Sequence, residues 1–123
     1  METIRNKNSV AKMIDSNTCH IQYLASSNST IDDFIEGNKC FKAFSRKKSL
    51  KKLIELTQFA SLNLDPFEYD KHNTIAPKAE AIVVNTLAQR LLFTFYLKIR
   101  KHLHPAKLFK TKEEALIWLE KYH

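Results

Sequence analysis

Between Lys78 and Tyr122 the chain reads KAEAIVVNTLAQRLLFTFYLKIRKHLHPAKLFKTKEEALIWLEKY. This stretch twice turns from a short apolar run into a helical pattern. Ala81 to Val84 is too short for a helix and reads as a strand; Ala106 to Phe109, just after Pro105, reads as a second. Each is followed by a threonine with Gln or Glu three residues on, Thr86/Gln89 and Thr111/Glu114. That is the capping-box spacing, in which side chains satisfy the first free amides of a helix. Strand, helix, strand, helix in this order requires parallel strands joined by right-handed crossovers. The block therefore commits the chain to an α/β sheet protein.

The remaining elements extend the same logic. Residues 9–15 and 18–24 alternate in polarity around the turn Asp15-Ser16-Asn17 and read as an antiparallel hairpin. Thr30 opens the first helix, with Asp33 in the box position and Ile31, Phe34, Ile35, Phe41 and Phe44 at helical spacing. Gly37 lies inside this pattern, where it costs about 1 kcal/mol relative to Ala. Arg46-Lys47-Lys48 closes the helix where its dipole favours cations. KLIELT at 52–57 reads as a buried strand. Asp65-Pro66 with Glu68 starts a short second helix, ended by Asn73-Thr74 and Pro77. The order is ββαβαβαβα: one domain over residues 1–123, with a mixed, mainly parallel five-stranded sheet and four helices.

Composition narrows the chemistry. Hydrophobic residues make up 44%, including eight Phe, which places the chain among globular proteins. The chain has a single glycine, whereas a Walker A loop or a dinucleotide fingerprint needs several to let backbone approach a phosphate. The net charge of +7 is spread evenly along the chain, which argues against a nucleic-acid arm. Cys19 and Cys40 stand apart and read as two reduced, buried thiols, with a single disulfide left open. No apolar leader opens the chain, and residues 81–97 are interrupted by Asn85, Gln89 and Arg90. The expectation is a cytoplasmic protein without a membrane span.

The order of elements resembles the STAS-like fold of anti-sigma-factor antagonists. The C-terminal block resembles, more specifically, a family of small uncharacterised bacterial proteins described as STAS-like, SpoIIAA-like or SEC14-like. The matching positions are Thr86, Leu87, Ala88, Arg90, Leu91, Pro105, Lys107, Phe109, Glu113, Glu114, Ala115, Leu116, Trp118 and Leu119. This covers about a third of the chain; the rest matches in element order only. The resemblance implies a non-enzymatic regulatory or interaction domain. It does not carry over a phosphorylation switch. Thr57 and Ser61 occur in LTQFASLNLDPFE, but the Asp-Ser-Ser/Thr-Gly turn of the sigma-regulatory members is missing.

Candidate sites follow from the same segments. Thr86 and Arg90 lie at a strand's carboxyl end and a helix start, where an anion could meet free amides and a guanidinium. The competing reading makes Thr86 a cap only and leaves Arg90 in solvent. His102 and His104 form an HxH pair without a third ligand at standard spacing, and read as surface residues rather than a metal site. Glu113 and Glu114 read as a capping first turn. The runs Arg46–Lys52 and Lys98–Lys101 read as solvated charge. No Ser/His/Asp or Cys/His signature is present, so neither a catalytic site nor a cofactor is expected. On the third helix, Leu87, Ala88, Leu91, Leu92, Phe95 and Ile99 suffice for a core stripe. Phe93, Tyr96 and Leu97, with Lys101 beside them, are then a surplus apolar face, expected to form a protein interface and most simply a homodimer. The expected function is a non-catalytic regulatory or protein-interaction domain. The alternative is a binder of a small ligand, anion or lipid head group near the start of the third helix.

Overall fold

The structure, a computed structural model, describes residues 2–24, 31–46, 48–56 and 65–122. The elements run β1 (Thr3–Arg5), β2 (Ser9–Met13), β3 (Thr18–Tyr23), α1 (Ile31–Phe44), β4 (Lys51–Leu56), α2 (Pro66–Lys71), β5 (Glu80–Val84), α3 (Leu87–Ile99), β6 (Ala106–Phe109) and α4 (Lys112–Leu119). The strands lie side by side in sequence order, β1-β2-β3-β4-β5-β6. The first three are antiparallel neighbours, and β3 to β6 are parallel.

The sheet has six strands among the described residues, not five. β1 escapes sequence reading because it is three residues long and offers one apolar side chain, Ile4, which packs at the edge of the core. The turn behind it is closed by Asn6 N donating to Ser9 O at 2.9 Å. The β2–β3 hairpin forms as expected, and Asp15 caps its turn by accepting from Asn17 N at 2.7 Å. Asp65 accepts from Phe67 N at 2.9 Å ahead of Pro66. Thr111 accepts from Glu114 N at 3.2 Å, while the Glu114 carboxylate accepts from the Thr111 hydroxyl rather than from backbone. The proposed cap Thr30 and residues Thr57 and Ser61 lie outside the described residues.

Helices cover both faces of the sheet. α1, α2 and α3 share one face, where Phe34, Phe41, Tyr69, Phe93 and Tyr96 pack on Ala11, Ile21, Ile54, Ile82 and Val84. Among the described residues α4 alone covers the other, setting Ala115 and Leu119 on Leu53, Ala81 and Val83. Gly37 lets α1 approach β3. A Cβ on Gly37 would lie 2.2 Å from Tyr23 Oη, 3.0 Å from its Cζ and 3.2 Å from Ile21 Cγ2. Tyr23 cannot easily yield, because it is fully buried and stacked on Phe34 at 4.3 Å between centroids. Cys19 and Cys40 are both buried and free, and burial pushes the Cys19 thiol up to about 12.

Candidate functional site

α3 carries the chemistry that the topology leaves open, and its orientation follows from its cap. Thr86 Oγ1 accepts from Gln89 N at 3.1 Å, while Gln89 Oε1 accepts from Asn85 N at 2.7 Å and from Thr86 N at 3.4 Å. To serve those amides Gln89 must turn inward, and it is buried. Phe93 and Tyr96 share that side of the helix and are buried with it. The Phe93 ring meets Tyr69 edge-on at 5.6 Å, and Tyr96 meets Tyr69 at 4.9 Å.

The expected orientation is therefore reversed. Phe93 and Tyr96 are core residues, not an interface, and Leu97 is half-buried against the same core. Lys101 remains exposed but is tied to α2, through its amide to Asp70 and its ammonium to Lys71 O. Counting aliphatic residues selected the wrong stripe because the inward face is held by aromatic rings and by polar groups that find partners. Leu92 packs against the core as expected, but three of the residues assigned with it face out: Leu87 is 71% exposed, Leu91 62% and Phe95 44%. They recur every fourth position and form one ridge. Phe67 of α2, 60% exposed, extends the ridge by meeting Phe95 edge-on at 5.7 Å.

Thr86 and Arg90 do not converge on one ligand position. The capping box already occupies the Thr86 hydroxyl and the amides of Asn85, Thr86 and Gln89. Arg90 points elsewhere, lining a groove of about 440 Å³ with Val84, Lys107, Leu108, Phe109, Lys110 and Glu114. A groove of about 520 Å³ at the β1–β2 turn gathers Asp32, Asp33 and Glu36 with Lys7. There Asp32 and Asp33 sit in the first turn of α1, where the helix dipole favours them, and Asn8 donates to Asp33 at 2.9 Å.

Beneath α3 lies a buried polar chain that the sequence did not disclose. Lys52 Nζ donates to Asn38 Oδ1 at 2.9 Å and to Asn73 Oδ1 at 3.5 Å, and stands 5.0 Å from the centre of the Phe41 ring. Asn73 Nδ2 donates to the Tyr96 hydroxyl at 3.0 Å, which donates to Glu80 Oε1 at 3.2 Å. His104 Nε2 reaches the same carboxylate oxygen at 2.8 Å. Burial pulls the Lys52 ammonium below its ordinary value, with the Glu80 charge opposing. Burial also pulls the Glu80 carboxyl upward, but the His104 hydrogen bond, the Lys52 charge and the Tyr96 hydroxyl together hold it below its ordinary value. A cavity of about 10 Å³ borders Lys52, Asn38 and Asn73, room for one water.

These contacts correct two further expectations. His104 is buried against Glu80, and His102 bonds to Asn73 O at 3.1 Å, so the pair is divided between two structural partners. Lys51 and Lys52 are not solvated: Lys51 Nζ caps α4 by donating to Leu119 O at 3.0 Å. Arg100 likewise turns onto the carbonyls of Leu97, His102 and His104. On the opposite face His20 and Glu55 form a second pair at 2.8 Å, and burial lowers the His20 pKa against the pull of Glu55. Among the described residues no three His, Cys, Asp or Glu side chains converge to hold a metal.

A mixed six-stranded sheet with these helix layers is an α/β domain with a SpoIIAA-like fold. It is similar to the crystal structure of an uncharacterized protein from the DUF3478 family with a SpoIIAA-like fold, from Shewanella loihica PV-4. The TM-score is 0.60 at 17% identity, covering 96% of this chain and 90% of that one. The chain belongs to the family described as a domain of unknown function, DUF7793, whose model matches residues 13–123. No curated protein matches the chain significantly. Among the described residues no helix is long and apolar enough to cross a membrane.

Proposed function

We propose that this domain is a non-catalytic regulatory or scaffolding module that self-associates through the outer ridge of α3. The observation that carries the reading is the continuous apolar strip of Leu87, Leu91, Phe95 and Phe67, which crosses two helices and faces solvent in the single chain. Apolar strips of this kind mark interaction surfaces. Its two flanks differ in charge. On the α2 side stand the exposed Asp65 and Glu68; on the β6 side stand the exposed Arg90 and Lys107. A two-fold axis running along α3 stacks ridge on ridge and sets the acidic flank of one copy over the basic flank of the other. A second copy of this chain therefore complements the strip in both polarity and charge.

Leu91→Asp tests the reading. The side chain is exposed in the single chain, so the variant is expected to keep its fold by circular dichroism and to fall from dimer to monomer in light scattering. A monomeric wild type, or a variant that stays dimeric, refutes it.

A further inference from the structure

The connections leaving β5 and β6 part to opposite sides of the sheet. β5 runs into α3, which packs on the face of Phe34 and Tyr69, whereas β6 runs into α4, which packs on the face of Leu53 and Ala81. Among the described helices, α1, α2 and α3, which follow β3, β4 and β5, pack on one face, and α4, which follows β6, packs on the other. In open α/β sheets such a divergence leaves a crevice beyond the carboxyl ends of the strands, because neither helix fills the space between them. The groove of about 440 Å³ occupies that position. Val84 ends β5, Phe109 ends β6, Arg90 comes from the start of α3 and Glu114 from the start of α4.

Its charge is unbalanced. Arg90, Lys107 and Lys110 face one carboxylate, Glu114. Among the described residues none of the three cations has an ion-pair partner; Lys107 only overlies the Phe109 ring at 5.6 Å. Val84, Leu108 and Phe109 supply an apolar wall. We propose that this crevice binds a phosphomonoester, with the dianionic phosphate held by Arg90 and Lys110 and the apolar body of the ester against Val84, Leu108 and Phe109. Arginine offers a planar fork that matches phosphate oxygens, and lysine adds a point charge. The crevice shares Arg90 and Lys107 with the basic flank of the α3 ridge, so the test reads binding at the crevice residue by residue, whereas self-association is read from the mass of the Leu91→Asp variant.

The test is an amide NMR titration of the full chain with phenyl phosphate, inorganic phosphate and phosphatidic acid vesicles. Saturable shifts confined to residues 84, 90, 107–110 and 114 are expected, with phenyl phosphate binding tighter than inorganic phosphate. Arg90→Gln and Lys110→Gln, both exposed, should each weaken it by about tenfold, the loss of one charge-assisted hydrogen bond. Shifts produced by vesicles alone support the phosphomonoester site and assign its source to a lipid head group. Binding by phenyl phosphate assigns it to a soluble ester. Unsaturable shifts scattered over lysines elsewhere, no response to any probe, or unchanged affinity in both variants overturns the proposal.

Discussion

Gly37→Ala separates local preference from tertiary packing, because the two give opposite signs. Gly37 sits inside α1, and helix propensity alone makes alanine more stable there by about 1 kcal/mol. Packing reverses this. The new methyl would stand 2.2 Å from Tyr23 Oη and 3.2 Å from Ile21 Cγ2. Tyr23 could yield only by leaving its stack on Phe34, and both rings are fully buried. Overpacking of this kind costs about 1–3 kcal/mol, and a contact this short lies at or above the upper end. We expect a net loss of about 2 kcal/mol or more after the propensity gain is subtracted. Urea unfolding followed by circular dichroism measures it. In a Tyr23→Phe background the shortest contact disappears, so the same glycine substitution should cost clearly less, and the cycle should show coupling. A Gly37→Ala protein more stable than wild type, or no coupling to Tyr23→Phe, would refute the account of how α1 seats on β3.

Two other substitutions and a pH series examine the rest. Phe93→Ala should cost about 3–5 kcal/mol as a buried aromatic truncation, whereas Phe95→Ala, partly exposed, should cost no more than about 1 kcal/mol in the monomer; equal costs would contradict the orientation of α3. Acidification should destabilise the fold in two stages. His20 titrates below its ordinary 6.5 in the folded chain, so stability is full above that value and declines as pH falls through it toward the folded-state value. Glu80 titrates below 4.5, so its contribution persists above that value and is lost as pH falls further. Thermal melts across this range should show His20→Gln removing the first decline and sparing the second; parallel curves for wild type and variant would refute the His20 assignment.

What the sequence disclosed was what short-range chemistry decides. Thr86/Gln89 and Asp65-Pro66 declared their helices because a cap is a contact between near neighbours. The run of alternating elements after Cys19 declared the parallel sheet. What stayed hidden depended on partners distant in sequence. Lys52 looks like the tail of a basic run, and only Asn38, Asn73 and the Phe41 ring make it a core residue. His104 looks like a loop histidine until Glu80 of the neighbouring strand supplies its partner. The inward face of α3 is not legible from spacing alone, because the Tyr96 hydroxyl is buried where a distant acceptor meets it, and that acceptor is again Glu80. The signal that could have revealed this was Glu80 itself, a carboxylate opening an otherwise apolar strand.

Self-association along α3 is most directly tested by cysteine cross-linking. With the two-fold axis parallel to the helix, each ridge residue faces its own copy, so Leu87→Cys and Leu91→Cys should both form interchain disulfides under mild oxidation. Cys19 and Cys40 are buried, so the wild type supplies a low background, and Lys39→Cys on α1, exposed and away from the ridge, serves as the control. Rapid cross-linking at both ridge positions and not at the control is the result expected. Ridge cysteines that cross-link no faster than the control would contradict the proposed interface.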